Sequence, residues 1–359
     1  MLKTYEKYII KKFFYIFFTV TLIFFSLTII LGSLEEVSFV KKMNVNFLFP
    51  YYLTLINAPI TVFEMFPFII LLTTQLLLYE LHKKDELNMF KFLGLKNLSL
   101  IKILFLISFF IGLFNVIFYY NIASNLKFHY SNLKNSLSND NKYLAMVTKS
   151  GLWIKDEVNG KKLIINSSTI NLNILTNTTI SELDENFELI RVIQSDKIDI
   201  KNNDWIIYDP VITKNNSSSS QDQKIIFKTN FNYEKISKIF SNISTLDLKK
   251  LFELKEDYER LGYSSNQILI HLLKLSNTPL FYGILVLLAS IIMFNLKKNN
   301  SLIFHLAIGF LISVAIYYLM FFFSSLGSTG KTPIKMTILF PMLILSILCI
   351  IGLININEK

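Results

Sequence analysis

Residues 82–94 read His82-Lys83-Lys84-Asp85-Glu86-Leu87-Asn88-Met89-Phe90-Lys91-Phe92-Leu93-Gly94, a short charged-then-apolar stretch between two long hydrophobic runs. Leu87, Phe90 and Leu93 recur at helical spacing behind a polar turn made by Lys83, Lys84, Asp85 and Glu86, which predicts a short amphipathic helix. Such a helix between two membrane spans lies beside the bilayer, not across it. By itself the stretch is equally compatible with a surface loop carrying one helical turn, so its neighbours decide.

The chain has 359 residues, 52% of them hydrophobic, and a mean hydropathy of +0.45. That is too apolar for an ordinary soluble protein of this length and places it among integral membrane proteins. Phe contributes 33 residues and Gly only 11, so bulky side chains, not glycine contacts, must fill the helix interfaces or face lipid. The net charge of +10 invites a nucleic-acid reading, but the lysines are scattered and the only arginines are Arg191 and Arg260. Nucleic-acid binding is set aside on that ground. Cys349 is the single cysteine and lies in an apolar run, where it reads as a small buried hydrophobe.

Lys3, Lys7, Lys11 and Lys12 precede the uncharged run Phe13–Leu31, about the 20 residues that cross hydrocarbon. No small-residue cleavage site follows, so this is expected to be a retained first span with its N-terminus in the cytoplasm. A loop is expected over Gly32–Asn46. The apolar stretch Phe47–Tyr79 then contains Pro50, Pro59 and Pro67, and is read as an interfacial segment to about Phe63 followed by a second span from Met65 to Leu81. The 82–94 helix comes next, then a third span over Ser99–Asn121. Lys83, Lys84, Lys91, Lys96 and Lys102 thereby join the N-terminal lysines on one side, a positive-inside pattern.

From Ala123 to about Asn266 the composition turns to Asn, Ser, Thr, Lys and Asp with short apolar runs. Tyr143–Val147, Leu152–Lys155, Lys162–Ile165, Leu189–Ile193, Trp205–Tyr208 and Lys224–Phe227 have strand length and composition, predicting an inserted all-β sandwich or jelly roll. Asn215–Gln221, with four consecutive serines, reads as a solvated hairpin tip. An amphipathic helix over Leu246–Leu261, with Thr245 as N-cap and an end near Gly262, should lead back to the membrane. Three further spans are expected at Ile268–Leu296, Ser301–Ser325 and Ile338–Ile354. The organisation is three spans with the short helix over 1–122, an outer β domain over 123–266, and three spans over 267–359, with both termini inside.

The predicted spans carry almost no charge, which argues against a proton- or ion-coupled carrier. His82, His129, His271 and His305 are far apart and form no HExxH or CxxC pattern, so no metal and no cofactor is expected. There is no GxSxG, and Gly327–Lys331 lacks the spacing of a phosphate loop. Any work done by such a chain therefore needs an external engine. A short helix at the cytoplasmic face suits the groove of a cytosolic partner, with Leu87, Phe90 and Leu93 as anchors and Asp85 and Glu86 as polar contacts.

At this point the chain resembles, over essentially its whole length, the LptF/LptG permeases of the bacterial lipopolysaccharide export ABC transporter. Asp85-Glu86-Leu87 followed by Gly94 is similar to the family's Ser-Glu-Leu…Gly coupling-helix motif, with aspartate in place of serine. Ala58-Pro59 and Phe66-Pro67 match two prolines before the second span, and Lys274…Pro279 fits the start of the fourth. Ser150-Gly151-Leu152-Trp153-Ile154-Lys155-Asp156 looks like the first strand of the periplasmic jelly roll of LptG and favours that branch.

The resemblance implies an inner-membrane subunit without enzymatic activity of its own. It would pair with a second, LptF-like permease over an LptB-like ATPase dimer, and pass lipopolysaccharide to LptC-like and LptA-like periplasmic proteins. It further implies that Glu86 contacts the ATPase and that Met65 and Phe66 line the lipid cavity. The family's lysine near the outer end of the first span falls at Gly32 here, and Lys41 and Lys42 are the expected substitutes for its charge. The competing reading is a membrane-anchored assembly or sensor protein that moves no lipid. A membrane-embedded enzyme is disfavoured, because no carboxylate or histidine pair lies within a span.

Overall fold

The computed structural model of the protein describes residues 3–41, 45–137, 152–158, 160–171, 173–185, 187–214, 217–220, 224–233, 236, 242–260, 264–295 and 302–357. It divides into two compact units, residues 1–127 with 266–359, and residues 128–265.

The first unit is helical. Six helices among the described residues are long and apolar enough to cross a membrane. In chain order the helices are α1 (Thr4–Val40), α2 (Phe49–Lys83), the short α3 (Glu86–Phe92), α4 (Asn97–Phe114), joined by a π-turn at Asn115–Tyr119 to α5 (Tyr120–Leu137), and, beyond the inserted unit and its own helix, α7 (Asn266–Asn295), α8 (Leu302–Ser328) and α9 (Ile334–Asn357). The six spans appear where the hydrophobic runs place them, but three of them overrun their expected ends.

The expected loop after residue 32 is instead the last part of α1, since Ser33 to Val40 contains no proline or glycine and Leu34, Glu35 and Glu36 favour helix. The expected interfacial segment and second span are one helix of 35 residues, about 52 Å long. Pro50 occupies its first turn, where the missing N–H costs nothing. Pro59 and Pro67 lie inside it, a placement that neighbouring helices make tolerable in a bundle. One such neighbour is visible: the Tyr119 hydroxyl donates to the Pro59 carbonyl at 3.0 Å. The third span continues helically to Leu137, through residues expected to open the β domain.

Two clusters of buried side chains hold the bundle. One joins Ile9, Phe13 and Phe17 of α1 to Phe66, Ile69, Leu77 and Leu81 of α2 and to Leu100 and Leu104 of α4. The other joins Ile284, Leu285 and Ala289 of α7 to Ile338, Met342 and Cys349 of α9. Cys349 is buried there, its thiol 3.7 Å from the Ile284 carbonyl. Helices α4 and α7 meet at Gly112, where a Cβ would stand 2.6 Å from Pro279 Cα, so only glycine permits this approach.

The second unit is built on a curled antiparallel sheet: β1 (Leu152–Val158), β2 (Lys161–Asn171), β3 (Ile174–Leu183), β4 (Leu189–Asp199), β5 (Asp204–Tyr208), β6 (Val211–Lys214), β7 (Ser217–Ser220) and β8 (Ile225–Lys228). β1 to β5 pair in sequence, and β4 also pairs with β6. Lys197↔Tyr208 and Val192↔Thr213 belong to one unbroken register. β5 and β6 are therefore a single strand interrupted at Asp209-Pro210, where Asp209 has φ +46. β8 and β7 pair along the opposite edge of that strand.

Five of the six expected strands coincide with β1, β2, β4, β5 and β8. β3 carries no strand signal in the sequence, because its Thr, Asn and Ser residues dilute the apolar pattern. The four serines form β7, paired with β6, rather than a hairpin tip. Trp205 is fully buried beneath the sheet and its indole donates to the Phe231 carbonyl at 2.7 Å. The amphipathic helix here is α6 (Leu248–Arg260), capped not by Thr245 but by Asp247, whose carboxylate accepts from the Lys250 N–H at 2.9 Å. Tyr143–Val147 and Gly262 lie outside the described residues.

Candidate functional site

The stretch from His82 to Gly94 folds as two pieces. His82 and Lys83 complete α2, whose last turn closes through the Lys84 N–H donating to the Glu80 carbonyl at 3.1 Å. Asp85 then adopts the left-handed conformation, φ +55, which reverses the chain and starts α3 at Glu86. The Asn88 side chain donates to the Asp85 carboxylate at 3.1 Å and braces that turn. Gly94, φ +77, ends α3: its N–H donates to the Lys91 carbonyl at 2.9 Å, and the Leu95 N–H to the Phe90 carbonyl at 3.0 Å. This pair of bonds is a Schellman motif, and it explains the glycine that follows the hydrophobic run.

The seven residues of α3 have two unlike faces. Leu87 and Phe90 turn inward and join the cluster formed by α1, α2 and α4, with Phe90 only 4% exposed. Phe92 is 91% exposed and Leu93 70% exposed, with Met89 also outward. The helix is therefore seated in its own chain by two of the three expected anchors. It presents an apolar edge of Met89, Phe92 and Leu93 beside exposed Asp85 and Gly94. That edge is small, yet it is apolar at the tip of a polar turn.

Glu86 sits at the root of this helix and is held from α1. Tyr8 Oη donates to one carboxylate oxygen at 2.9 Å, and Lys12 Nζ lies 3.2 Å from both. Lys12 also stands 3.5 Å from Glu80 of α2, and Glu80 in turn meets Lys84 at 2.7 Å. The hydrogen bond that Lys84 donates to the Glu80 carboxylate raises its ammonium above the ordinary range. Tyr8, Lys12 and Glu80 were not singled out from the sequence. The lysine was counted there only as one of several N-terminal charges, and its pairing needs α1 and α2 to be side by side.

The residues expected on the lipid side are spread along the bundle. Lys41 caps the end of α1 and is exposed, while Lys42 lies outside the described residues. Met65 is exposed, its sulfur 3.9 Å from Thr28 Oγ1. Phe66 is enclosed by its own chain, stacked on Phe17 at 6.0 Å and edge-on to Tyr119 at 5.3 Å. At Gly32 a Cβ would come within 2.8 Å of Thr54 Cγ2, so this position is taken up by the contact between α1 and α2. Elsewhere, His271 Nε2 meets Tyr120 Oη at 2.9 Å, and Lys127 and Lys274 stand within electrostatic range of that imidazole.

Among the described residues no three His, Cys, Asp or Glu side chains gather as a metal site would require. What the α3 region can do chemically is hold a protein surface by apolar contact while the Glu86 carboxylate remains internally satisfied. The model of the family described as lipopolysaccharide export system permease LptF/LptG matches residues 7–355. No curated protein matches the chain. With nearly the whole length matched, and with six apolar helices interrupted by an antiparallel β domain, the chain belongs to the LptF/LptG family of lipopolysaccharide export permeases.

Proposed function

We propose that this chain is the LptG-type permease subunit of an ABC transporter that extracts lipopolysaccharide from the bacterial inner membrane. It works with an LptF-like permease, an LptB-like ATPase dimer, and LptC-like and LptA-like proteins that receive the lipid in the periplasm. The observation that carries this reading is α3, a short helix anchored by Leu87 and Phe90 whose exposed edge is Met89, Phe92 and Leu93. An apolar helix edge of this kind fits a groove on a cytosolic ATPase, and the left-handed Asp85 and Gly94 at its two ends set its angle.

The orientation follows from charge. Lys3, Lys7, Lys11 and Lys12 of α1 and Lys83, Lys84, Lys91, Lys96 and Lys102 around α3 share one end of the bundle, which we assign to the cytoplasm together with both termini. The β domain is then periplasmic. On the lipid side, Met65 meets acyl chains, Phe66 backs it from within, and Lys41 and Lys42 meet anionic groups of the glycolipid. Lys127 and Lys274 add positive charge to the bundle far from α3, where charge in a span marks a ligand path.

The test is copurification of the cognate ATPase from mild detergent with wild type and with Phe92→Asp. Phe92 is so exposed that the variant should fold as wild type does. The expected result is capture by wild type and loss with the variant. If no ATPase accompanies wild type under any mild condition, the anchored assembly or sensor reading replaces this one.

A further inference from the structure

The Glu86 carboxylate is committed before any partner arrives. It accepts from Tyr8 Oη at 2.9 Å and is bridged at both oxygens by Lys12 Nζ at 3.2 Å. The two side chains are shielded, Lys12 being 10% and Glu86 16% exposed. An ion pair withdrawn from water is screened less than a surface pair and holds its geometry better. Tyr8 and Lys12 are one helical turn apart on α1, so they present to Glu86 as a fork on one face. The ammonium also lies over the Tyr8 ring, 5.5 Å from its centroid, which fixes the fork itself.

The same ammonium faces a second carboxylate, Glu80 of α2, at 3.5 Å. Lys12 therefore joins three elements: α1 through its own backbone, α2 through Glu80 and α3 through Glu86. Without it two carboxylates would face each other across the root of α3, with Lys84 on the exposed side to offset Glu80. Leu87 and Phe90 supply non-directional adhesion. The fork supplies direction, because two donors on one face of α1 fix where the carboxylate can sit.

Resting on the reading of α3 as the helix that engages the ATPase, we infer that Lys12, assisted by Tyr8, is a positioning residue that ties α3 to α1. Movement imposed on α3 is thereby passed to the first span, and Glu86 acts inside the permease rather than in the ATPase groove. Passage of movement through such a tie requires it to persist while α3 shifts, which a charge-paired contact of two shielded side chains does.

The experiment uses the complete transporter reconstituted in lipid vesicles. It compares wild type, Lys12→Arg, Lys12→Gln, Glu86→Gln and the exchange Lys12→Glu with Glu86→Lys. ATPase capture, the KM for ATP and the lipopolysaccharide released per ATP hydrolysed are measured. The expected result is unchanged capture and KM in all variants, a loss of about tenfold in lipid released per ATP for Lys12→Gln and Glu86→Gln, and recovery by Lys12→Arg and by the exchange. Normal coupling in Lys12→Gln, or an exchange no better than the single variants in a monodisperse protein, overturns the inference and leaves the coupling-helix reading standing. Loss of ATPase capture in Glu86→Gln alone, with Lys12→Gln unaffected, places Glu86 in the ATPase groove and also overturns it. Absence of capture by wild type overturns both.

Discussion

Two shielded glutamates, one in each unit, show how differently the same chemistry can be used. Glu182 on β3 pairs with Lys161 at 2.8 Å and with Arg191. Arg191 is its direct cross-strand partner on β4, and Lys161 stands beside Lys162 on β2. Burial opposes ionisation of Glu182, but hydrogen bonds from Lys161 and Arg191 outweigh it and lower its pKa below the ordinary value. Its partners are set by strand register within about twenty residues of chain. Glu86 draws its partners from α1, more than seventy residues away, and they meet only because helices have packed. A carboxylate bonded within a sheet ladder can do little but stabilise that sheet, whereas one that bridges separate helices can also transmit their movement.

The contrast is broken most severely by substitutions that bury charge or empty a core on one side only. Phe90→Asp should destabilise the helical unit by about 4 kcal/mol, since it places a carboxylate among Leu81, Leu87 and Leu100. Trp205→Ala should destabilise the β unit by about 4 kcal/mol through lost volume and loss of the indole's bond to the Phe231 carbonyl. Thermal unfolding of the purified full chain, followed separately by limited proteolysis of each unit, reports both. The Trp205 variant should still capture the ATPase.

A weaker perturbation is Glu182→Gln, expected to cost about 2 kcal/mol by replacing two charge-assisted bonds with neutral ones. The pH dependence has a definite sign. Because the folded pKa is depressed, the stabilisation from Glu182 is full above the unfolded value, near 4.5, and disappears as pH falls through the lower folded value. The melting temperature of the wild-type β unit should therefore fall faster below pH 4.5 than that of Glu182→Gln. Parallel acid profiles for the two proteins would show that the ion pairs contribute nothing.

Gly94→Ala should cost about 1 kcal/mol, because φ +77 strains any Cβ although nothing lies within 4 Å of one. The smallest effect on stability belongs to Phe92→Asp, within about 0.5 kcal/mol of wild type, though it removes the apolar edge on which ATPase capture depends. A variant that both unfolds and loses the ATPase would erase the distinction between seat and edge on α3.

The number of spans, the inserted β unit and the presence of a short helix at residues 82–94 were legible in the sequence. Each rests on a property of contiguous residues: length of an apolar run, composition of a strand, or a polar turn followed by apolar residues at helical spacing. The span ends were less legible. Polar residues such as Glu35 and Glu36 do not stop a helix, and Pro59 and Pro67 do not break one that neighbours support. β3 was hidden because its Thr residues meet cross-strand partners and Asn177, φ +45, drops out of the register, so no apolar stripe forms.

At the candidate site, the periodicity of Leu87, Phe90 and Leu93 identified an amphipathic helix but could not say which residues face inward. In seven residues, Phe90 and Phe92 are both aromatic and only packing separates them. The sequence by itself determined the spans, the insertion and the existence of a short helix at α3, since these follow from local chemistry and chain solvation. The tertiary structure alone decided that Lys12 meets Glu86, that Phe66 is enclosed and that Phe92 is exposed. Each of those depends on which helix lies beside which, and no spacing within a single segment encodes that.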